Sequence, residues 1–184
     1  MKLIFTILII FSTVLNAEVI TWGTDDWGGD SSSVTSELSI GVTSISSTHK
    51  AFAALKFDGS VVTWGDSNYG GDSSSVASEL SSGVKEIFSS YNAFAALKED
   101  GSVVTWGDST YWGDLSSVDS ELSSGVRTIY STYWAFAALK EDGSVVTWGS
   151  IHSGGDSSSV ASQLFSGVST IHSTISAFAA LKDD

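Results

Sequence analysis

The 184-residue chain contains no cysteine and no proline. Without thiols there is no disulfide framework, no thiolate metal site and no cysteine nucleophile. Without proline, its 18 glycines are the main turn-formers. Positive charge is also scarce: 8 Lys plus Arg stand against 21 Asp plus Glu, a formal net charge of −13. Phosphate binding rests on clustered Lys and Arg that release counterions, so nucleic acid is excluded as a partner, and anionic lipid head groups are repelled. What is present is apolar material: 42% hydrophobic and 16% charged residues describe a chain that buries a core rather than a disordered one.

The one long hydrophobic run, Leu3 to Leu15, follows Lys2 and precedes Asn16-Ala17. It is shorter than the roughly 20 residues a membrane span needs. A buried N-terminal strand or helix would also use such a run. The order of charge, apolar core and small residue favours a secretory leader. Residues 1–17 are therefore expected to be a signal peptide and 18–184 the mature domain. Removing Lys2 makes the mature protein one unit more negative. The localisation is secreted, extracellular or periplasmic, with no membrane association after cleavage.

Internal repetition sets the architecture. Trp22, Trp64, Trp106 and Trp148 recur every 42 residues, as do Asp30, Asp72, Asp114 and Asp156, and Phe52, Phe94, Phe136 and Phe178. Such a period is the signature of stacked supersecondary units. Within a unit, Ala51 to Lys56 (AFAALK) precedes Asp58-Gly59, a dipeptide suited to two-residue hairpin turns, and Ser60 to Trp64 (SVVTW) is β-branched and aromatic. Ala, Leu and Lys favour helix, but six residues before a hairpin turn are too few for one, so AFAALK is read as a strand. A third strand is expected near Gly83 to Ser90. Its Val84 and Ile87 are three apart, which implies burial on both faces or a bulge. The polar stretch from Asp66 to Ser82 offers one short helical turn, with Asp72 as a cap.

The run from Phe94 to Asp114, FAALKEDGSVVTWGDSTYWGD, resembles the repeat of the regulator of chromosome condensation family: a small-residue strand, a D-G turn, a strand ending in W-G and a glycine-rich loop. All four units carry it. The resemblance implies an all-β β-propeller. The short unit is similar to the three-stranded blades of the secreted beta-lactamase-inhibitor protein II. Full rings of the family have seven blades, whereas four units are present here. Val19 to Gly23 is the second half of the D-G hairpin and Ala177 to Asp184 the first half. The expected architecture is thus a β-propeller of four 42-residue three-stranded repeats closed by pairing of its N- and C-terminal strands. Half of an eight-unit ring shared by two chains, or an open β-solenoid, are the alternatives, so the protein is a monomer or a homodimer.

The invariant Trp series suits core packing better than a stacking platform for sugars or bases. The recurrent Asp fits a turn cap better than a cation ligand, because its acidic neighbours differ between units. The three His occupy different repeat positions and no acid–base pair stands out, so no catalytic residue, metal or cofactor is assigned and the protein is read as not an enzyme. Where the repeats disagree, aromatics collect. One set is Trp27, Tyr69, Tyr111 and Ser153, with Trp112 beside Tyr111; another is His49, Tyr91, Tyr133 and Ile175, followed by Lys50, Asn92, Trp134 and Ser176; a third is Ser46, Phe88, Tyr130 and His172. The first two sets fall in connections opposite the D-G turns. Variable aromatic loops on a constant scaffold suit recognition. The expected function is a secreted, non-enzymatic binding module for a protein or glycan, gripped by Tyr91, Tyr111, Trp112, Tyr133 and Trp134, with a preference for cationic partners. A structural surface-matrix repeat protein, with acidic loops open to calcium binding, is the alternative.

Overall fold

The computed structural model describes residues 18–108 and 118–183. They form an all-β array of antiparallel sheets, three of three strands and one of two. The first sheet contains β1 (Val42–Ser47), β2 (Ala51–Lys56) and β3 (Val61–Gly65); the second β4 (Val84–Ser89), β5 (Ala93–Lys98) and β6 (Val103–Gly107). The third contains β7 (Val126–Ser131), β8 (Ala135–Lys140) and β9 (Val145–Gly149), and the last β10 (Val168–Ser173) and β11 (Phe178–Lys182). The leader, together with Tyr111, Trp112 and Asp114, lies outside the described residues.

AFAALK is the middle strand of each three-stranded sheet, despite its helix-favouring composition. Neighbouring sheets pack on both of its faces: Ala93, Ala95 and Leu97 meet Ile129 of the next unit, and Ala51, Ala53 and Leu55 meet Ile87. Small side chains suit this double packing. The first strands of the units, β1, β4, β7 and β10, lie each in contact with the next. Of the two explanations the Val84/Ile87 spacing left open, these strands show the bulge. The register slips between Val84 and Glu86, so both apolar side chains are buried.

The D-G turn differs from the two-residue form. Lys56 N–H donates to Ser60 C=O and Gly59 N–H to Lys56 C=O, both at 2.9 Å, which leaves a three-residue loop, Phe57-Asp58-Gly59. Only Gly59 takes positive φ (+75°); Asp58 does not. Its carboxylate instead accepts from the Ser60 N–H at 3.0 Å and hydroxyl at 2.6 Å. This is the arrangement of a type I turn with a bulged glycine. Asp30, Asp72 and Asp156 accept from the N–H of Ser32, Ser74 and Ser158 at 2.8 to 2.9 Å, capping the turns that follow.

The two ends of the array do not pair with each other here. β11 is bonded to β10 alone, and residues 18–22 belong to no sheet. Trp64, Trp106 and Trp148 are buried as the core reading requires, but Trp22 is 84% exposed. Each buried Trp stacks on the Phe of its own middle strand: Phe52–Trp64, Phe94–Trp106 and Phe136–Trp148, at 5.1 to 5.3 Å. Repeat register makes Phe178 the partner of Trp22, and the two are at opposite ends of the array.

Candidate functional site

The connections between the first and second strands of each unit converge. His49 N–H donates to Tyr91 C=O at 2.9 Å, Tyr91 N–H to Tyr133 C=O at 3.0 Å, and Tyr133 N–H to Ile175 C=O at 2.9 Å. Four positions 42 residues apart thus form one backbone ladder across all four units. Strand-like spacing at each step brings their side chains into register. His49 stacks on Tyr91 at 4.4 Å and 22°, and Tyr91 on Tyr133 at 4.1 Å and 20°. Trp27 extends the column at 5.1 Å from His49, and Trp134 stands edge-on to Tyr133 at 4.7 Å.

A second tier comes from the turns after the W-G strands. Thr48 donates its hydroxyl to Tyr69 C=O at 2.8 Å and accepts from Ala51 N–H at 3.1 Å, tying the two connections of one unit together. Thr132 repeats this with Ser153 at 3.0 Å. Tyr69 therefore reaches the column, 5.9 Å from His49 and edge-on to Tyr91 at 5.8 Å. Lys50 places its ammonium 5.0 Å from the Trp27 ring and 4.8 Å from Tyr69, a cation–π arrangement.

Of the residues chosen from sequence, Tyr91, Tyr133 and Trp134 come together; Tyr111 and Trp112 are outside the described residues. Trp27, His49, Lys50 and Tyr69 join them. Their signal was present, since they occupy the same repeat positions as the chosen Tyr and Trp. Phe88 and Tyr130 turn into the packing between units instead. Trp27, His49 and Tyr133 are exposed at the surface, while Tyr91 is half-buried because both its faces are covered. Desolvation against the stack, then the neighbouring Tyr91 and Tyr69 phenols, push the Tyr133 hydroxyl above its ordinary value, which keeps it a neutral donor. What this surface presents is ring edges, phenolic hydroxyls and one ammonium. Among the described residues, no group of three His, Asp or Glu is placed to hold a metal ion.

The chain matches no protein-family model and none of the curated proteins. Among solved structures it is similar to the CRINKLY WD40 ectodomain of the Arabidopsis thaliana receptor kinase ACR4, at 23% identity over 59% of this chain and 38% of that one, with a TM-score of 0.40. It is also similar to human WBSCR16, at 20% identity over 59% of this chain and 33% of that one, with a TM-score of 0.45. Prp20p from Saccharomyces cerevisiae, a yeast RCC1, is matched at 20% identity over 61% of this chain and 31% of that one, TM-score 0.45. The chain spans about a third of the length of these structures.

Proposed function

We propose that this protein is a secreted, non-enzymatic binding module of propeller-type repeats that recognises a cationic protein surface through the aromatic column. The supporting observation is the stack His49–Tyr91–Tyr133, with Trp27 tilted against His49 at one end and Trp134 edge-on at the other, built from positions where the repeats differ. The scaffold is repeated while this face varies, as a recognition surface requires. Between the two partner classes open from sequence, the geometry favours protein over glycan. Sugars pack their C–H faces on open ring faces, and here the faces of Tyr91 are occupied by neighbouring rings. The exposed edges and hydroxyls suit the polar and aliphatic groups of a protein. The net charge of −13 steers cationic partners. The fold expectation belongs to the same proposal: four blades of the regulator-of-chromosome-condensation type, whose free edges complement each other.

The test is to pan a random peptide library on the protein, with a Tyr133→Ala/Trp134→Ala double variant as counter-selection. Basic peptides that bind the parent and not the variant support the reading. Binders indifferent to the variant contradict it. Exclusive binding to a glycan array would change the partner class.

A further inference from the structure

Tyr91 and Tyr133 are two phenols of the column whose ring faces overlap. Their centroids are 4.1 Å apart and their planes 20° from parallel. The backbone builds this overlap in: Tyr91 N–H donates to Tyr133 C=O at 3.0 Å, and the two residues hold the same position in successive units. Desolvation in the stack and then the Tyr91 hydroxyl raise the pKa of Tyr133. The second effect requires both oxygens on the same side of the stack, which sets the ortho carbons of one ring toward those of the other.

Among the described residues no other two tyrosines are stacked. Tyr69 meets Tyr91 edge-on, at 5.8 Å and 74°. Tyr130 lies in the packing between units, its hydroxyl 3.3 Å from that of Thr170. The other face of Tyr91 is closed by His49, at 4.4 Å. Tyr133 is exposed, so a soluble oxidant reaches the pair at that ring.

We propose that Tyr91 and Tyr133 are a dityrosine site: a one-electron oxidant of the haem peroxidase and hydrogen peroxide class joins the two rings through their ortho carbons, linking the second unit to the third. Each phenol loses one electron and its hydroxyl proton, giving two neutral phenoxyl radicals with unpaired density on the ortho carbons. One C–C bond forms through the overlapping faces. The hydrogens on the joined carbons then leave as protons while both oxygens are reprotonated. The two hydrogen atoms lost overall reduce one hydrogen peroxide to two waters. Bonding through ring faces needs stacked rings, and the edge-on Tyr69 lacks that overlap. Holding both partners on one ladder replaces a collision between chains by a reaction within one, so the internal bond outpaces dimer formation in dilute solution.

The test treats the full-length protein, in dilute solution, with a haem peroxidase and hydrogen peroxide. The expected product is a single chain with dityrosine fluorescence, lighter by two hydrogens. Trypsin cuts after Lys85, Lys98, Arg127 and Lys140, so the bond should appear as one species joining residues 86–98 to residues 128–140. Tyr91→Phe and Tyr133→Phe should each abolish that species, and Tyr130→Phe, which removes the other phenol of the second peptide, should leave its yield unchanged. Phenylalanine keeps the ring and its stacking, so the loss reports the phenol rather than the fold. Oxidation of the parent unfolded in urea needs no variant, and there the species should be lost. An equal yield from the unfolded chain overturns the proposal. So do links confined to other tyrosines or to covalent dimers, and recovery of Tyr91 and Tyr133 unmodified.

Discussion

Phe94 and Phe178 occupy the same place in the repeat and differ in what covers them, so truncating each measures the ends of the array against its interior. Phe94 is fully buried, stacked on Trp106 at 5.1 Å and flush against Gly70. Phe94→Ala removes the whole ring from a packed site and leaves a cavity, a loss of about 3–5 kcal/mol. Its stacking with Trp106 contributes roughly 0.5–1.5 kcal/mol to such a loss. Among the described residues no Trp stacks on Phe178, and only part of its surface is covered. With about half of a ring's burial at stake, Phe178→Ala should cost on the order of 1 kcal/mol. Thermal unfolding followed by circular dichroism reads the difference. For a chain of this size the Phe94 variant should melt on the order of 10 °C lower, and the Phe178 variant only a few degrees lower. Equal losses would refute the reasoning, because Phe178 would then be as enclosed as Phe94.

Three further outcomes follow from the same geometry. Gly59→Ala should destabilise more than Gly83→Ala: both glycines have positive φ, costing about 1–2 kcal/mol for alanine, but a Cβ on Gly59 would lie 2.6 Å from Gly83 N, whereas one on Gly83 meets only Lys98 Cε at 3.6 Å. Thermal melts of the two variants check the order. Hydrogen bonds, first from the serine hydroxyls and then from their N–H groups, lower the pKa of Asp58, Asp100 and Asp142. That stabilisation is present above the unfolded value, about 3.9, and is lost as pH falls through the lower folded values. The melting temperature should therefore drop below about pH 4, and Ser60→Ala/Ser102→Ala/Ser144→Ala should blunt the drop. Finally, Trp106→Phe should cost about 1–3 kcal/mol in a urea titration, because it leaves Gly70 C=O buried without its donor.

The period of 42 residues carried most of the fold into view. Identical spacing of Trp, Phe and Asp meant identical units, and D-G followed by a β-branched run marked the hairpin in each. The hairpin's length was hidden because two- and three-residue turns both accept Asp-Gly; the choice is made by Lys56 pairing with Ser60. Trp22 was indistinguishable from Trp64 in sequence. Its exposure depends on a partner, Phe178, 156 residues away, and no local signal reports whether that contact forms. The site was partly legible for a similar reason. Variability marked Trp27 and Tyr69 as well as Tyr91, Tyr133 and Trp134, but Trp27 and Tyr69 come from a different connection. Their place beside His49 is fixed by hydrogen bonds such as that from Thr48 to Tyr69, which the spacing does not reveal.

The central claim is that the column recognises a partner rather than merely packing upon itself. The decisive measurement sets Tyr133→Ala/Trp134→Ala beside the parent in two readouts, urea stability and affinity for the basic peptides recovered by panning. Tyr133 is exposed and Trp134 stands edge-on at the end of the stack. The account therefore predicts a stability loss near 1–2 kcal/mol, with peptide affinity falling at least about a hundredfold. Unchanged affinity together with a loss of several kcal/mol would show that the rings serve the fold alone and would contradict the account.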